Sequence, residues 1–376
     1  MDYFSVQTDL VVVGSPIPYN LYVNSAGEQG RSHFLKVIAS GIVLSMNDLL
    51  EIKKKYFQIY VSEQERDKYL DGLVSNKSIT KEKKTEVIKD SAIKYLDKVF
   101  DPKRQFSTEV LEETIVGCKG AVENMVEVIG DLKLSDLQKL IGNLSFHDFY
   151  TFDHSINVSM YAILILKETD PNASKEEQVI IGLGGMLHDI GKLKIPLNVI
   201  NKAGKLDDNE FKLIMSHPVR GKELIESQHL KLVGVDFSKI KNIIYQHHEN
   251  FNGTGYPQKL SGEQIDRFAR IVAIADFFDA ITTHRAYHEA LSLEDALSVM
   301  KNCCGKKIDP DLFEAFRNTV KDIGMGKSYL FLPDEYDPCQ PQNVLPLVPA
   351  EAKKQDHDLF GKKDEKKIGK VVKKAA

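Results

Sequence analysis

No stretch of this chain approaches the roughly 20 consecutive apolar residues that a helix needs to span a bilayer. The N-terminal apolar run, residues 10–13, is four residues long and follows no basic segment, so neither a signal peptide nor a membrane helix is expected. Cysteine is scarce. Cys118, Cys303, Cys304 and Cys339 form no C-x-x-C pair, which argues against a zinc knuckle or a disulfide framework and fits a reducing cytoplasm. Neither sign of charge dominates: 50 basic against 54 acidic residues leave a formal charge of −4, which excludes a protein that coats polymeric nucleic acid and confines any anion binding to a local site. There is also no phosphate-cradling G-x-x-x-x-G-K loop in the N-terminal region. What is present is an ordinary globular composition, 42% hydrophobic and 28% charged over 376 residues, enough for two or three domains with substantial cores.

Residues 1–75 mix β-type runs with turn signals: DLVVVGSPIP, YNLYVNSAGEQG, the helical NDLLEIKKK and the strand-like FQIYVS. They read as a small α+β domain, either a sensor or interaction module or a passive cap. Residues 76–143 turn helical, with apolar side chains three and four apart at Val87, Ile88, Leu96, Leu111, Ile115 and Val122 and a break at Asp101-Pro102. This connector either carries a signal onward or simply extends the bundle that follows. Residues 144–322 form a helical domain in which histidines and acids collect. Residues 323–376 are proline-rich, then lysine-rich, with little to bury, and read as a flexible tail. The expected fold is therefore mainly α, an all-helical C-terminal bundle preceded by a small α+β domain.

Within the bundle, His154 lies in FDHSINVSMYAILILKE, His188 and Asp189 in GLGGMLHDIGKLKIP, His217 in IMSHPVRGKELI, His247 and His248 in IYQHHENFNGTGYP, and Asp276 in ARIVAIADFFDAITT. They follow one another at intervals of about thirty residues, one helix and its connection, so each comes from a different helix. An aspartate beside a histidine suits a carboxylate that bridges two cations while the imidazole completes one shell. Seven oxygen and nitrogen donors suffice for two metals, and the mixture without thiolate suits iron, manganese or zinc. A two-metal centre activates water and clamps both oxygens of an in-line displacement at phosphorus, which is phosphoester hydrolysis. Lys192 is placed to neutralise a phosphate oxygen, or else is an ordinary surface lysine; Arg285 offers a bidentate fork for the same task.

The ordered segments HDIGKLKIP, SHPVRG, HHENFNGTGYP and ARIVAIADFFDAITTHRAY, with the late GKKIDP, resemble the HD-GYP family of the HD superfamily over residues 147–316. The resemblance implies a bundle of five or more helices that hydrolyses cyclic di-GMP to the linear dinucleotide or to GMP. It implies metal ligation by His154, His188, Asp189, His217, His247, His248 and Asp276, with Asp189 as the bridge and a dinuclear centre. It matches Lys192 to a phosphate-contacting lysine and places Asp279 and Arg285 near the bound nucleotide. Asp189 and Lys192 become the catalytic residues. Protein partners through the Gly255-Tyr256-Pro257 loop or the N-terminal domain, and oligomers, are compatible with it.

Four positions depart from the family pattern. Tyr150 stands where members with a third metal have a glutamate, which implies two metals. Asn252 replaces an aspartate, losing a charge beside the site. Ala286 replaces a proline, and His288 replaces a permanent cation with a titratable one. The metal shell stays whole while nucleotide affinity is open. Two other readings remain: a metal-containing, cyclic di-GMP-binding signalling module with weak turnover, and a phosphohydrolase of another nucleotide.

Overall fold

Side-chain caps set where most of the helices begin. Ser45, Thr80, Ser107, Ser174, Asp207, Asp266 and Ser292 each accept a hydrogen bond from a backbone N–H two or three residues ahead, satisfying donors that the first helical turn leaves unpaired. The computed structural model describes residues 2–26, 32–101, 106–130, 132, 136–137, 150–200, 202, 206–228, 230, 232, 234–283 and 291–318. The expected tail, and Arg285, Ala286 and His288, lie outside these residues.

The first elements are β1 (Tyr3–Val6), β2 (Leu21–Ala26), β3 (Ser32–Ile38), α1 (Met46–Lys55), β4 (Ile59–Ser62) and α2 (Arg66–Ser75). The strands form an antiparallel sheet in the order β1-β4-β2-β3. Alternation sends Phe4, Val6, Leu21, Val23, Ile59 and Val61 to the buried face, with Tyr69, Leu70 and Leu73 of α2 buried in the same unit. Tyr3, Tyr22, Phe34 and Tyr60 cluster on the other face, Tyr3 stacked on Phe34 at 4.1 Å between centroids. The apolar run at residues 10–13 is not a strand. Leu10 closes a 3-10 turn, and the segment that follows is tied by Gly14 N–H to Leu44 O (2.8 Å) and Ile17 N–H to Ile42 O (3.0 Å). Burial of Leu10, Val11 and Val12, rather than sheet pairing, accounts for its composition.

Then come α3 (Lys81–Phe100), α4 (Thr108–Ile129), α5 (Tyr150–Thr169), α6 (Lys175–Leu187), α7 (Leu197–Ile200), α8 (Asp208–Met215), α9 (His217–Ser227), α10 (Phe237–Gln246), α11 (Arg267–Thr282), α12 (Leu293–Cys303) and α13 (Pro310–Asn318). The α6 helix, IIGLGGML in its second half, packs against α4, α5, α10 and α11. Gly185 permits this: a Cβ there would stand 3.1 Å from Ser159 Cα on α5, so any side chain would push the two backbones apart. The apolar core runs without interruption from Phe4 to Phe316.

The α3 helix is gripped at several points. Arg66, stacked on Phe4 at 3.8 Å, donates from Nη1 to Ser91 Oγ (3.2 Å), and Tyr95 Oη donates to Asp67 Oδ1 (3.1 Å). Lys89, 4% exposed, places Nζ 2.9 Å from Asp153 Oδ1 in the first turn of α5, and Phe100 packs on Phe152 with centroids 5.4 Å apart. A buried ammonium needs such a partner to offset its desolvation. No helix among the described residues is long and apolar enough to cross a membrane.

Candidate metal centre

Helix ends converge to make the site. His188 follows α6, Asp189 follows it at the start of a 3-10 turn (Ile190–Lys194), His217 opens α9, and His247 and His248 follow α10. His154 and Asp276 come from the interiors of α5 and α11. The approach of the 3-10 turn to α9 depends on Gly191, where a Cβ would lie 1.9 Å from His217 O and 2.5 Å from Gly221 N. The glycine of HDIG is thus required by close backbone contact.

The donors fall into two groups whose ligand atoms lie within 4.8 Å of one another: Asp189, His217, His247 and His248, and His154, His188 and Asp189. Asp189 belongs to both. Its Oδ1 faces His217 Nε2 at 3.2 Å and its Oδ2 faces His188 Nε2 at 3.2 Å. Lys192 Nζ, three residues on, lies 2.5 Å from the same Oδ2. Asp276 Oδ1 joins the second group at 3.1 Å from His154 Nε2.

Backbone carbonyls fix the tautomers of three imidazoles. His188 Nδ1–H donates to Gly185 O (2.6 Å), His217 Nδ1–H to Ile214 O (2.8 Å) and His247 Nδ1–H to Ile244 O (2.9 Å). Each Nε2 is then left with a lone pair directed at the cluster. The consequence is sharpest between His217 and His247, whose Nε2 atoms are 3.2 Å apart with no proton to share. Two facing lone pairs repel unless a cation lies between them. Imidazole nitrogens each about 2.1 Å from one ion are themselves about 3.0–3.4 Å apart, so the donors fit a metal. The chemistry of the set, imidazole and carboxylate, fits a divalent ion.

Electrostatics agree. Burial, reinforced by the neighbouring rings, pushes His247 down to about 3 and His248 well below the usual histidine range, and burial also lowers His217. These rings are neutral near pH 7, the form that metal ligation requires. Asp189 is held well below the usual carboxylate range: burial opposes this, but the Lys192 charge and the adjoining histidines outweigh it. Asp276 is depressed against the same burial cost by His154. His154 goes the other way, to about 9, because Asp276 and Asp279 together overcome the penalty of burial.

The glycine-rich turn after His248 is a built wall. Tyr256 stacks on His248 (centroids 4.8 Å, planes 22° apart), and its N–H donates to His248 O (3.1 Å). Buried Glu249 accepts from the N–H groups of Gln258 (2.6 Å) and Leu260 (3.1 Å), which holds the loop shut against the cluster. Glu249 carried no signal beyond its place beside the histidines. Asn252, expected to cost the site a charge, lies in the turn that follows the histidine pair. It is exposed, and its Oδ1 accepts from Thr254 N–H (3.1 Å) and Oγ1–H (2.7 Å), a local turn that an aspartate would make equally well. In the late GKKIDP segment Asp309 pairs with Arg270 (2.5 Å) and caps α13 through the N–H groups of Asp311 and Leu312.

Asp279, placed near the nucleotide by the resemblance, is fully buried behind His154. Two residues that the sequence reading passed over, Asn157 and Thr283, hold it there. A buried Asn157 one turn after His154, within a largely apolar stretch of the helix, was the available signal. Lys192 and the seven metal candidates lie in one cluster, Asp279 adjoins it, and Arg285 lies outside the described residues.

Residues 141–312 match the HD domain family, spanning all seven donors. Over this segment, less than half of the chain, the sequence is similar to HD domains. It is 37% identical over 180 residues, 47% of this chain, to a cyclic di-GMP phosphodiesterase of Pseudomonas aeruginosa, and 32% identical over 187 residues, 50% of this chain, to the 3'3'-cGAMP-specific phosphodiesterase 3 of Vibrio cholerae. The matched regions cover 40% and 37% of those proteins' own lengths. The fold is that of an HDG"Y"P protein from Bdellovibrio bacteriovorus, with a TM-score of 0.52 and 20% identity over 85% of this chain and 100% of that one.

Proposed function

We propose that the chain hydrolyses cyclic di-GMP at a dinuclear centre. The carrying observation is Asp189, whose two oxygens face histidines of the two different donor groups, the arrangement of a bridging carboxylate. In this reading His217, His247 and His248 hold one divalent ion and His154, His188 and Asp276 the other. Iron and manganese suit the donors best, with zinc an alternative. Bound ions supply a water of lowered pKa and positive charge for the phosphoester oxygens.

The side chains do the rest. Asp189 stays ionised across the working pH range and keeps the two groups in register. Lys192, half-buried and at hydrogen-bond distance from Asp189, turns its ammonium toward a non-bridging phosphate oxygen once cations neutralise that carboxylate. The carbonyl-anchored imidazoles cannot rotate, which preserves the geometry through turnover. Tyr256 and the Glu249-held loop exclude water from the His248 side.

Cyclic di-GMP comes from the Pseudomonas relative's name, and the Vibrio relative supports a second reading, hydrolysis of a related cyclic dinucleotide. The test is chromatography of the products formed by metal-loaded protein from cyclic di-GMP and, separately, 3'3'-cGAMP. Release of pGpG or GMP from the first is expected. No product under conditions where a relative turns over would overturn the proposal, and turnover of 3'3'-cGAMP alone would favour the second reading.

A further inference from the structure

His154 differs from its neighbours in what stands behind it. His188, His217 and His247 donate Nδ1–H to backbone carbonyls, whereas His154 Nδ1–H donates to the Asp279 carboxylate, Oδ2 at 2.7 Å. The other Asp279 oxygen accepts from Asn157 Nδ2–H and Thr283 Oγ1–H, each at 2.9 Å. Asp279 is 0% exposed, and both its oxygens are taken up by this small network. Asp276 and Asp279 are three residues apart on α11 and therefore share a face. That face presents one carboxylate to each ring nitrogen of His154: Asp276 to Nε2 and Asp279 to Nδ1.

A carboxylate behind an imidazole fixes the ring and makes the opposite nitrogen a stronger donor than a carbonyl partner does. We propose that Asp279 is a positioning residue that orients His154 and strengthens its Nε2, so that metal affinity depends on Asp279 in one half of the centre only. It does not contact nucleotide, because both oxygens are engaged and neither is accessible. The half made by His154, His188 and Asp189 has a carboxylate-backed histidine, while the half made with His217 and His247 relies on carbonyl-backed ones. This inference rests on reading the cluster as a two-metal site.

The experiment is titration of the metal-free full chain with Mn2+, resolving equivalents and their dissociation constants, with circular dichroism as the check on folding. Wild type should bind two equivalents. Asp279→Asn should keep one at wild-type affinity and weaken the other about 10- to 100-fold. Combined with His154→Ala, it should add no further weakening, since both act through one donor. Thr283→Val, which removes one support of the carboxylate, should weaken the same equivalent a few-fold and carries the test if Asp279→Asn does not fold. Wild-type binding of both equivalents by these variants, equal weakening of both, or loss of nucleotide affinity alone would each overturn the proposal. A wild-type chain that takes up no Mn2+ would instead overturn the underlying metal reading, and this proposal with it.

Discussion

Lys192 Nζ and His188 Nε2 meet the same atom, Asp189 Oδ2, at 2.5 and 3.2 Å. The ammonium therefore occupies the flank of the carboxylate where a cation would otherwise stand, and in the proposed mechanism it turns to substrate once cations arrive. Lys192→Ala should keep both metal equivalents but lower turnover about 10²- to 10³-fold, as removal of a charge-stabilising donor does elsewhere. Metal analysis and steady-state kinetics on one preparation check this. An unchanged rate would return Lys192 to an ordinary surface role.

Asp189→Ala removes the group shared by the two halves, so both metal equivalents and all activity should be lost together. Mass spectrometry of the native protein counts the ions directly. Stoichiometric metal in this variant would contradict the bridging assignment.

In the metal-free protein the site histidines should make stability depend on pH in two opposite senses. His154 binds its proton more tightly folded than unfolded, so its contribution is complete below pH 6.5 and disappears as pH rises through about 9. His217, His247 and His248 have depressed folded values, so their contribution is present above pH 6.5 and is lost as pH falls below it, through about 3 for His247. Added divalent metal should raise the melting temperature most on the alkaline side, where protons no longer compete at His154. Thermal melts with and without EDTA from pH 5 to 9 test this, and a flat metal-free profile would count against the buried-histidine electrostatics.

Gly191→Ala places a methyl group 1.9 Å from His217 O, with backbone on both sides. Relief requires moving α9 and His217 with it, so a loss of about 3 kcal/mol or more is expected, together with loss of metal. Denaturant unfolding and Mn2+ titration measure the two effects. A stable, metal-binding variant would show that the contact yields at little cost.

What could be read from the chain was what recurs in one dimension. The interval between donors gave one ligand per helix because a helix and its connection take about thirty residues, and His154, His188, His217, His247 and Asp276 obey it. What could not be read depended on which side chains face one another across helices. Asp279 has an ordinary helical spacing from Asp276, and nothing along the chain says that it points behind His154 rather than toward a ligand. Asn252 is exposed and its Oδ1 is taken up by Thr254, a local bond that its place four residues after His248 does not reveal. The run at residues 10–13 misled because burial and β composition coincide in strands but do not require them.

Lys89→Ala should cost about 3 kcal/mol, because it removes the buried ion pair that Lys89 makes with Asp153 beside the first donor. Chemical denaturation gives the number, and a change below about 0.5 kcal/mol would place the pair among ordinary surface contacts.

The grips on α3 have a wider consequence. Its Ser91 and Tyr95 are hydrogen-bonded to α2, and its Lys89 is ion-paired with the residue before His154. Axial slippage by a single residue, about 1.5 Å, would undo all three contacts at once. The sheet unit and the start of α5 are therefore expected to open as one cooperative block, with amides of β4 and of α5 sharing a single exchange free energy. The first histidine of the centre would then inherit its rigidity from a sheet that supplies no ligand.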